Sequence, residues 1–230
     1  MATAQPVARK KSSSQIPLTY VVALVPVAIA LNIVGGQINT ALHLPTFLDM
    51  IGTGVVAIVL GPWWGALVGA LTNLIGSFIS GPINLPFAVC NIIGALVWGY
   101  GVRWGWGKKY WSFFLLNMLV AFFVSLAAVP IYVFLFGGAT GHFADMMTAA
   151  FLAMGQNLIV SVFSSNILVS LADKILSGFV ALAIIEALPA SMTQGIELPK
   201  STGLSRVLWI AGGIVLGLAI ALIVTALQAG

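Results

Sequence analysis

Residues 45–105 read PTFLDMIGTGVVAIVLGPWWGALVGALTNLIGSFISGPINLPFAVCNIIGALVWGYGVRWG, and this stretch decides the fold. It contains three apolar segments that are separated only by short turns. Pro62 ends the first segment, Gly81 and Pro82 end the second, and Arg103 closes the third. Proline lacks the N–H that the interior of a helix needs, so each proline predicts a helix boundary. The stretch therefore predicts closely packed helices joined by tight turns.

The middle segment carries a stripe of small and polar residues at four-residue spacing, formed by Gly65, Gly69, Asn73 and Ser77. In lipid, small residues let helix backbones approach closely, and polar groups form hydrogen bonds across the contact. The stripe has two interpretations: it packs against a neighbouring helix of the same chain, or it receives a helix of a partner protein.

The composition defines the class of protein. Of the 230 residues, 60% are hydrophobic and only 6% are charged, whereas a soluble domain carries about 25% charged residues. The chain is therefore an all-α integral membrane protein. Its single cysteine, Cys90, excludes an internal disulfide, and its net charge of +4 comes from short loops and does not predict nucleic-acid binding.

The apolar segments predict seven crossings. The division into domains is a disordered cytoplasmic tail at 1–15, a six-helix membrane domain at 16–189, a linker at 190–205 and an additional C-terminal transmembrane helix at 206–230. Gly35 and Gly36 are expected to end the first helix, and a kink is expected at Pro130. The predicted crossings are residues 16–34, 47–61, 62–80, 86–102, 110–136, 166–188 and 208–226.

The basic residues predict the orientation. With a cytoplasmic N-terminus and an external C-terminus, residues 9–11, 103–109, Lys200 and Arg206 all fall inside the cell. This orientation requires that residues 145–164 do not cross the membrane. They are expected to pack on the outer side or to re-enter the membrane, and the small and polar residues that recur there every four positions predict one helix face. If they crossed instead, residues 175–188 would have to span alone, and they are too few. The residues of this row are Asp145, Ala149, Ala153, Asn157, Ser161 and Ser165.

No enzyme is predicted. The chain has no nucleotide-binding P-loop and no hydrolase or zinc-protease motif, so neither a cofactor nor a metal is expected. Both histidines, His43 and His142, fall in predicted outer loops, where we expect solvated side chains. The remaining candidates are polar residues at the depth of the outer leaflet. Such residues can bind a small ligand through hydrogen bonds, and the loop at 37–46 is expected to act as a lid. The predicted substrate-binding residues are Gln37, Asn39, Asn84, Asn91, Tyr132, Asn166, Asp173 and Lys174.

Asp173 and Lys174 are the most informative of these, because charges within a membrane segment are costly and often functional. The alternatives are that they form an ion pair with each other or that they anchor the helix at the membrane interface. The other candidates are neutral, which favours an uncharged or zwitterionic heterocycle as the ligand.

Three motifs carry a resemblance to a known family. Asp49 to Asn73, DMIGTGVVAIVLGPWWGALVGALTN, resembles the second and third helices of the membrane substrate-binding (S) components of energy-coupling factor (ECF) vitamin transporters. Pro86 to Gly99, PFAVCNIIGALVWG, is similar to their fourth helix. Leu171 to Pro189, LADKILSGFVALAIIEALP, is similar to their last helix. The resemblance covers about residues 16–189.

The resemblance implies a six-helix protein of the bacterial cell membrane that binds a vitamin or related micronutrient from outside. It also implies a partner module made of a transmembrane coupling protein and two ATPases. The first helix of that family often carries an Ala-x-x-x-Ala contact motif for the coupling protein. Here the nearest matches are Ala23 with Val27 and Ala28 with Asn32, so the motif at Ala23 is incomplete. The helix at 208–226 has no counterpart in the six-helix pattern.

Two other classes of function remain open on the residues alone. One is a self-sufficient carrier or channel, which internal repeats would favour. The other is a membrane sensor or assembly subunit without transport.

Overall fold

The computed structural model describes residues 17–199, 201 and 203–229. The predicted cytoplasmic tail at 1–15 and Lys200 lie outside the described residues. Within the described part the chain is helical, without a β-strand. The predicted all-α class is therefore confirmed.

Helix α1, Leu18–Leu42, has 25 residues and ends at His43, whose φ of 49° is left-handed. The prediction that Gly35 and Gly36 end this helix was wrong. Gly35 instead lets another segment approach, because a Cβ there would collide with the backbone carbonyl of Leu48. Glycine can end a helix or admit a close neighbour, and here it does the second. Residues 37–42 are consequently helical and not part of a loop.

Residues 43–50, which we call the strap, run back along α1 and lead into helix α2, Ile51–Val59. Gly52 packs against the backbone of Ala28 in the middle of α1, and every residue of α2 is buried. Nine helical residues cover about 14 Å, less than half of the hydrocarbon core. The crossing predicted at 47–61 is therefore not a full-length helix.

The next helices follow the predicted boundaries. They are α3, Pro62–Ser80, then a 3₁₀ turn at Pro82–Asn84, then α4, Ala88–Arg103, and α5, Tyr110–Pro130. At Pro130 the helix changes to a π-helical turn, Ile131–Leu135. The missing N–H of a proline breaks the regular hydrogen-bond ladder, which explains a change of helix type at the position of the expected kink.

Helices α6, Ala144–Ala153, and α7, Leu158–Ala187, replace the single helix expected at 145–164. That expectation was wrong because the chain turns at Gly155, with a φ of 86°, and Asn157 then caps α7 by accepting a hydrogen bond from the N–H of Val160 at 3.0 Å. Helix α6 covers only about 15 Å, which is too short to cross a bilayer.

Two helices complete the chain, the short α8, Ala190–Thr193, and α9, Leu204–Ala229. Helix α9 lies along α7, where Gly213 faces the ring of Phe179. A Cβ on Gly217 would lie 2.8 Å from Cβ of Leu176. The additional C-terminal helix is thus packed on the bundle by its small residues.

Among the residues that the structure describes, six helical segments are long and apolar enough to cross a membrane: 18–42, 62–80, 82–103, 110–135, 158–187 and 204–226. The protein is therefore a multi-pass membrane protein. Of the seven predicted crossings, the segment at 47–61 lacks the length, so the exact arrangement of six helices plus one is not reproduced.

The two ends of the bundle differ in charge. At one end, the basic end, Arg103 donates to the carbonyl of Ala57 at 3.1 Å, and Lys108 pairs with Glu197 at 2.8 Å. At the opposite end, the cavity end, Gln37 at the close of α1 donates to Ser80 at the close of α3 at 2.6 Å. The candidate functional site lies at the cavity end.

Candidate functional site

Two adjoining cavities open at the cavity end. The main cavity has a volume of about 290 Å³ and the side cavity about 150 Å³. Asp49 and Asn73 line both, so the two cavities meet at these side chains. Ligand sites in proteins are concave, mostly apolar and supplied with a few polar groups, and the main cavity has this character.

The structure brings five of the eight predicted substrate-binding residues together around the main cavity: Asn84, Asn91, Tyr132, Asn166 and Lys174. Gln37 and Asn39 line only the side cavity, and Asp173 lines neither. A role of these residues in binding a ligand stays a prediction.

Asp173 and Lys174 form a buried ion pair, as the alternative interpretation proposed. Their side chains are 0% and 1% exposed. Asp173 also accepts hydrogen bonds from the backbone N–H groups of Phe47 at 3.0 Å and Leu48 at 2.7 Å. A buried carboxylate needs such partners, and a strap without helical hydrogen bonds needs acceptors. Asp173 therefore holds the strap, while Lys174 faces the cavity with its Nζ 5.5 Å from the centre of the Phe47 ring.

The strap forms one side of the cover over the main cavity. Thr46 donates to Oδ1 of Asn39 at 2.7 Å, and its carbonyl lies 3.1 Å from Nε2 of His142. Phe47 stacks on the His142 ring with centroids 4.6 Å apart. The cover consists of the strap and the loop before α6. Of the predicted lid at 37–46, only residues 43–46 belong to it, because residues 37–42 are part of α1.

Sequence reasoning missed His142, which was expected to be solvated. The ring lines both cavities, and its Nδ1 accepts a hydrogen bond from the N–H of Ala144 at 3.1 Å. This bond leaves the proton on Nε2, which donates to the carbonyl of Thr46. Burial lowers the pKa of His142 below its usual range. No local pattern could have identified this residue, since Thr46 lies 96 positions away.

Asp49 was also missed, although it lines both cavities. Its Oδ2 accepts a hydrogen bond from the amide of Asn91 at 3.0 Å, and Asn91 accepts one from Thr53 at 3.1 Å. Asn32 on α1 continues the network by donating to Thr53 at 2.8 Å and accepting from the N–H of Gly52 at 2.7 Å. A side chain from α1 thereby serves the start of α2, which lacks a cap of its own.

The small-residue stripe of α3 lies largely inside the bundle. Gly65 faces Ala57 of α2, and a Cβ on Gly69 would lie 2.8 Å from Cβ of Asn91. Asn73 is buried and lines the cavities, while Ser77 donates back to its own helix. For the two glycines, the structure therefore matches packing within the chain and leaves no room for a partner helix.

Ala23 is exposed on the outer face of α1. A contact of Ala23 with a coupling protein stays a prediction.

Among the residues that the structure describes, no group of three or more His, Cys, Asp or Glu side chains could hold a metal ion. Comparison with protein-family models, with curated proteins and with solved structures gives no match. The resemblance to S components therefore rests on the motifs alone.

Proposed function

We propose that this chain is the substrate-capture subunit of an ECF-type transporter, and that it binds a small vitamin-like molecule in the main cavity. The observation that carries the proposal is the pair of polar residues on α7 that face this cavity, Asn166 and Lys174. They are only 3% and 1% exposed, yet both line the open volume. Polar groups inside a membrane bundle are costly, and they persist where they serve a ligand or an ion.

Capture without pumping is the form of the proposal that the sequence supports. Accumulation against a gradient needs an energy source, and the chain has no nucleotide-binding motif. The resemblance supplies the partners, a transmembrane coupling protein and two ATPases. In liposomes the purified chain should bind its ligand but not concentrate it, and accumulation by the chain alone would identify a self-sufficient carrier instead.

The proposed orientation places the cavity end outside a bacterial cell. Arg103, Lys108 and Arg206 lie together at the basic end, and cytoplasmic loops of membrane proteins carry an excess of Lys and Arg. A reporter that fluoresces only in the cytoplasm should therefore be bright when fused to the N-terminus and dark when fused to the C-terminus. The opposite pattern would overturn the orientation.

Native mass spectrometry of protein purified in a mild detergent tests the capture proposal. Wild type should carry a small organic molecule that survives gentle ionisation. Asn166→Leu should weaken binding by about 5- to 150-fold, because losing a buried hydrogen bond costs about 1–3 kcal/mol. Thr225→Val is the matched control, since Thr225 lies on α9 and lines neither cavity. A ligand that binds Asn166→Leu as tightly as wild type would remove this cavity as its site.

A further inference from the structure

The charged groups around the main cavity do not balance. Three carboxylates of the described residues lie at the cavity end, on Asp49, Asp145 and Asp173, against the single ammonium of Lys174. His142 adds no charge, because its Nδ1 accepts a backbone hydrogen bond. One more positive charge at this end would therefore be stabilised.

One of the three carboxylates is satisfied by the protein itself. Asp173 pairs with Lys174 and accepts two backbone N–H groups of the strap. Asp145 accepts the N–H groups of Thr140 at 2.8 Å and Gly141 at 2.6 Å through Oδ2, while its Oδ1 is buried without a partner among the described residues. Asp145 lines neither cavity, so a cation in the main cavity would not meet it.

Asp49 differs from both. Within the described part of the chain, the amide of Asn91 is the one side-chain hydrogen-bond donor to its carboxylate, through Oδ2. Asp49 also lines both cavities and lies where they meet. Lys174 lies near enough to attract this carboxylate, but it pairs with Asp173, and no basic group of the described residues forms an ion pair with Asp49. A cation in the cavity would supply a direct partner.

The cavity walls suit a flat cation. Phe87 and Tyr132 meet edge to face with centroids 5.1 Å apart, and Phe47 stacks on His142 on the side of the cover. All four rings line the main cavity. Aromatic faces attract cations and stack on flat rings, and the attraction is strongest where water is excluded.

Asn166 adds a hydrogen-bond donor. Its Oδ1 accepts a hydrogen bond from Ser170 at 3.2 Å, and its Nδ2 has no partner among the described residues although the side chain is 3% exposed. A free amide donor facing a cavity fits an acceptor on the ligand, such as a carbonyl or a ring nitrogen.

We infer that the main cavity selects a small heteroaromatic cation, with its positive charge against Asp49, its ring between the aromatic side chains and a hydrogen-bond acceptor at Asn166. This inference rests on the proposed capture function and names the class of its substrate. It differs from the sequence-based expectation of an uncharged or zwitterionic ligand, because that expectation did not include Asp49. Lys174 does not oppose the cation, since its ammonium is neutralised by Asp173.

Three probes with one ring and different charge test the inference: 1-methylnicotinamide as the cation, nicotinamide as the neutral form and nicotinate as the anion. Thermal unfolding of the purified full chain is followed with each probe at millimolar concentration. The cation should raise the unfolding temperature, and the neutral and anionic probes should not. Asp49→Asn should weaken binding of the cation at least about tenfold, because it removes the ion pair between the pyridinium ring and the carboxylate, and such attraction is strong in surroundings of low dielectric.

Two variants control the test. Asp145→Asn removes a carboxylate from the same end without touching the cavity, and it should leave the effect of the cation intact. Asp49→Glu keeps the charge and should retain part of the effect, which separates loss of charge from loss of folding. Stabilisation by the neutral or anionic probe, or an undiminished effect of the cation in Asp49→Asn, would overturn the inference.

The outcomes also distinguish this inference from the capture proposal. A neutral or anionic molecule retained in native mass spectrometry would overturn the inference that the ligand is a cation. It would leave the proposed capture function intact. Absence of a retained molecule, together with no effect of any probe, would count against both.

Discussion

Two lysine–carboxylate pairs occupy opposite ends of this protein in very different surroundings. At the basic end, Lys108 and Glu197 are 54% and 61% exposed, and water solvates both partners. At the cavity end, Lys174 and Asp173 are 1% and 0% exposed. The exposed pair contributes little to stability, because water already solvates each charge. In the buried pair each charge is stabilised by the other, because a buried charge without its partner is strongly unfavourable.

Removing one partner should separate the two pairs most clearly. Lys174→Met should lower the free energy of unfolding by about 3–5 kcal/mol, because it leaves Asp173 buried and uncompensated. Lys108→Met should change it by less than about 1 kcal/mol, since exposed pairs contribute little. Denaturant titration in a mild detergent measures both values.

The double variant Asp173→Asn/Lys174→Met sharpens this comparison, because it leaves no charge behind. It should recover much of the stability that Lys174→Met loses. Equal losses in Lys174→Met and Lys108→Met would show that the pair at the cavity end is as well solvated as the pair at the basic end.

A second test asks whether packing, in addition to polarity, holds the cavity end together. A Cβ on Gly69 would lie 2.8 Å from Cβ of Asn91, whereas a Cβ on Gly76 would meet nothing within 4 Å. Gly69→Ala should therefore cost about 1–3 kcal/mol of stability, as overpacking does. Gly76→Ala, on the same helix, should be neutral or stabilising by up to about 1 kcal/mol, because alanine favours helix.

The same pair of variants tests where the stripe of α3 acts. If Gly69→Ala left stability unchanged and abolished only uptake with the partner module, the stripe would be a docking surface and the packing described here would be wrong.

The smallest expected effect concerns the cover of the main cavity. His142 is held neutral, and burial lowers its pKa from 6.5. Stability from this group is complete above pH 6.5 and is lost as the pH falls towards the lower pKa of the folded state, because protonated Nδ1 cannot accept from Ala144. The loss should be about 0.5–1.5 kcal/mol, the value of one hydrogen bond.

Hydrogen exchange of the strap between pH 7.5 and 5 follows this opening when it is expressed as a protection factor, which removes the intrinsic pH dependence of amide exchange. His142→Gln should make the protection factor of the strap independent of pH within that window, and His43→Gln, on an exposed residue, should not. If the protection factor of the wild-type strap stayed constant across the window, His142 would not hold the cover.

Local chemistry explains what the sequence could predict. A proline affects the helix within a few residues of its own position. Pro62 therefore predicted the start of α3 correctly, and Pro82 predicted the start of the turn that follows α3. Glycine allows two outcomes, and the choice at Gly35 depends on Leu48, which reaches it only in the folded chain. Similarly, the four-residue spacing predicted one helix at 145–164, but the chain turns at Gly155 and forms two helices.

The residues of the candidate site show the same difference between local signals and contacts that only folding creates. Asn91 and Lys174 were found because polar residues within apolar helices stand out in a sequence. Asp49 and His142 were missed because they lie in non-helical segments, where polar residues are ordinary. Only the fold shows that these two side chains turn inward, through contacts with residues more than forty positions away.

The strap and α2 also have a consequence for biogenesis. Nine helical residues preceded by an extended segment cannot partition into a bilayer as an independent unit, because lipid offers no partner for open backbone groups. Residues 43–61 must therefore settle between helices that are already inserted. Moreover, the strap is held by Asp173, which the ribosome delivers about 125 residues after Leu48. The half of the protein that surrounds the cavity is thus completed late in synthesis, only after α7 has entered the membrane.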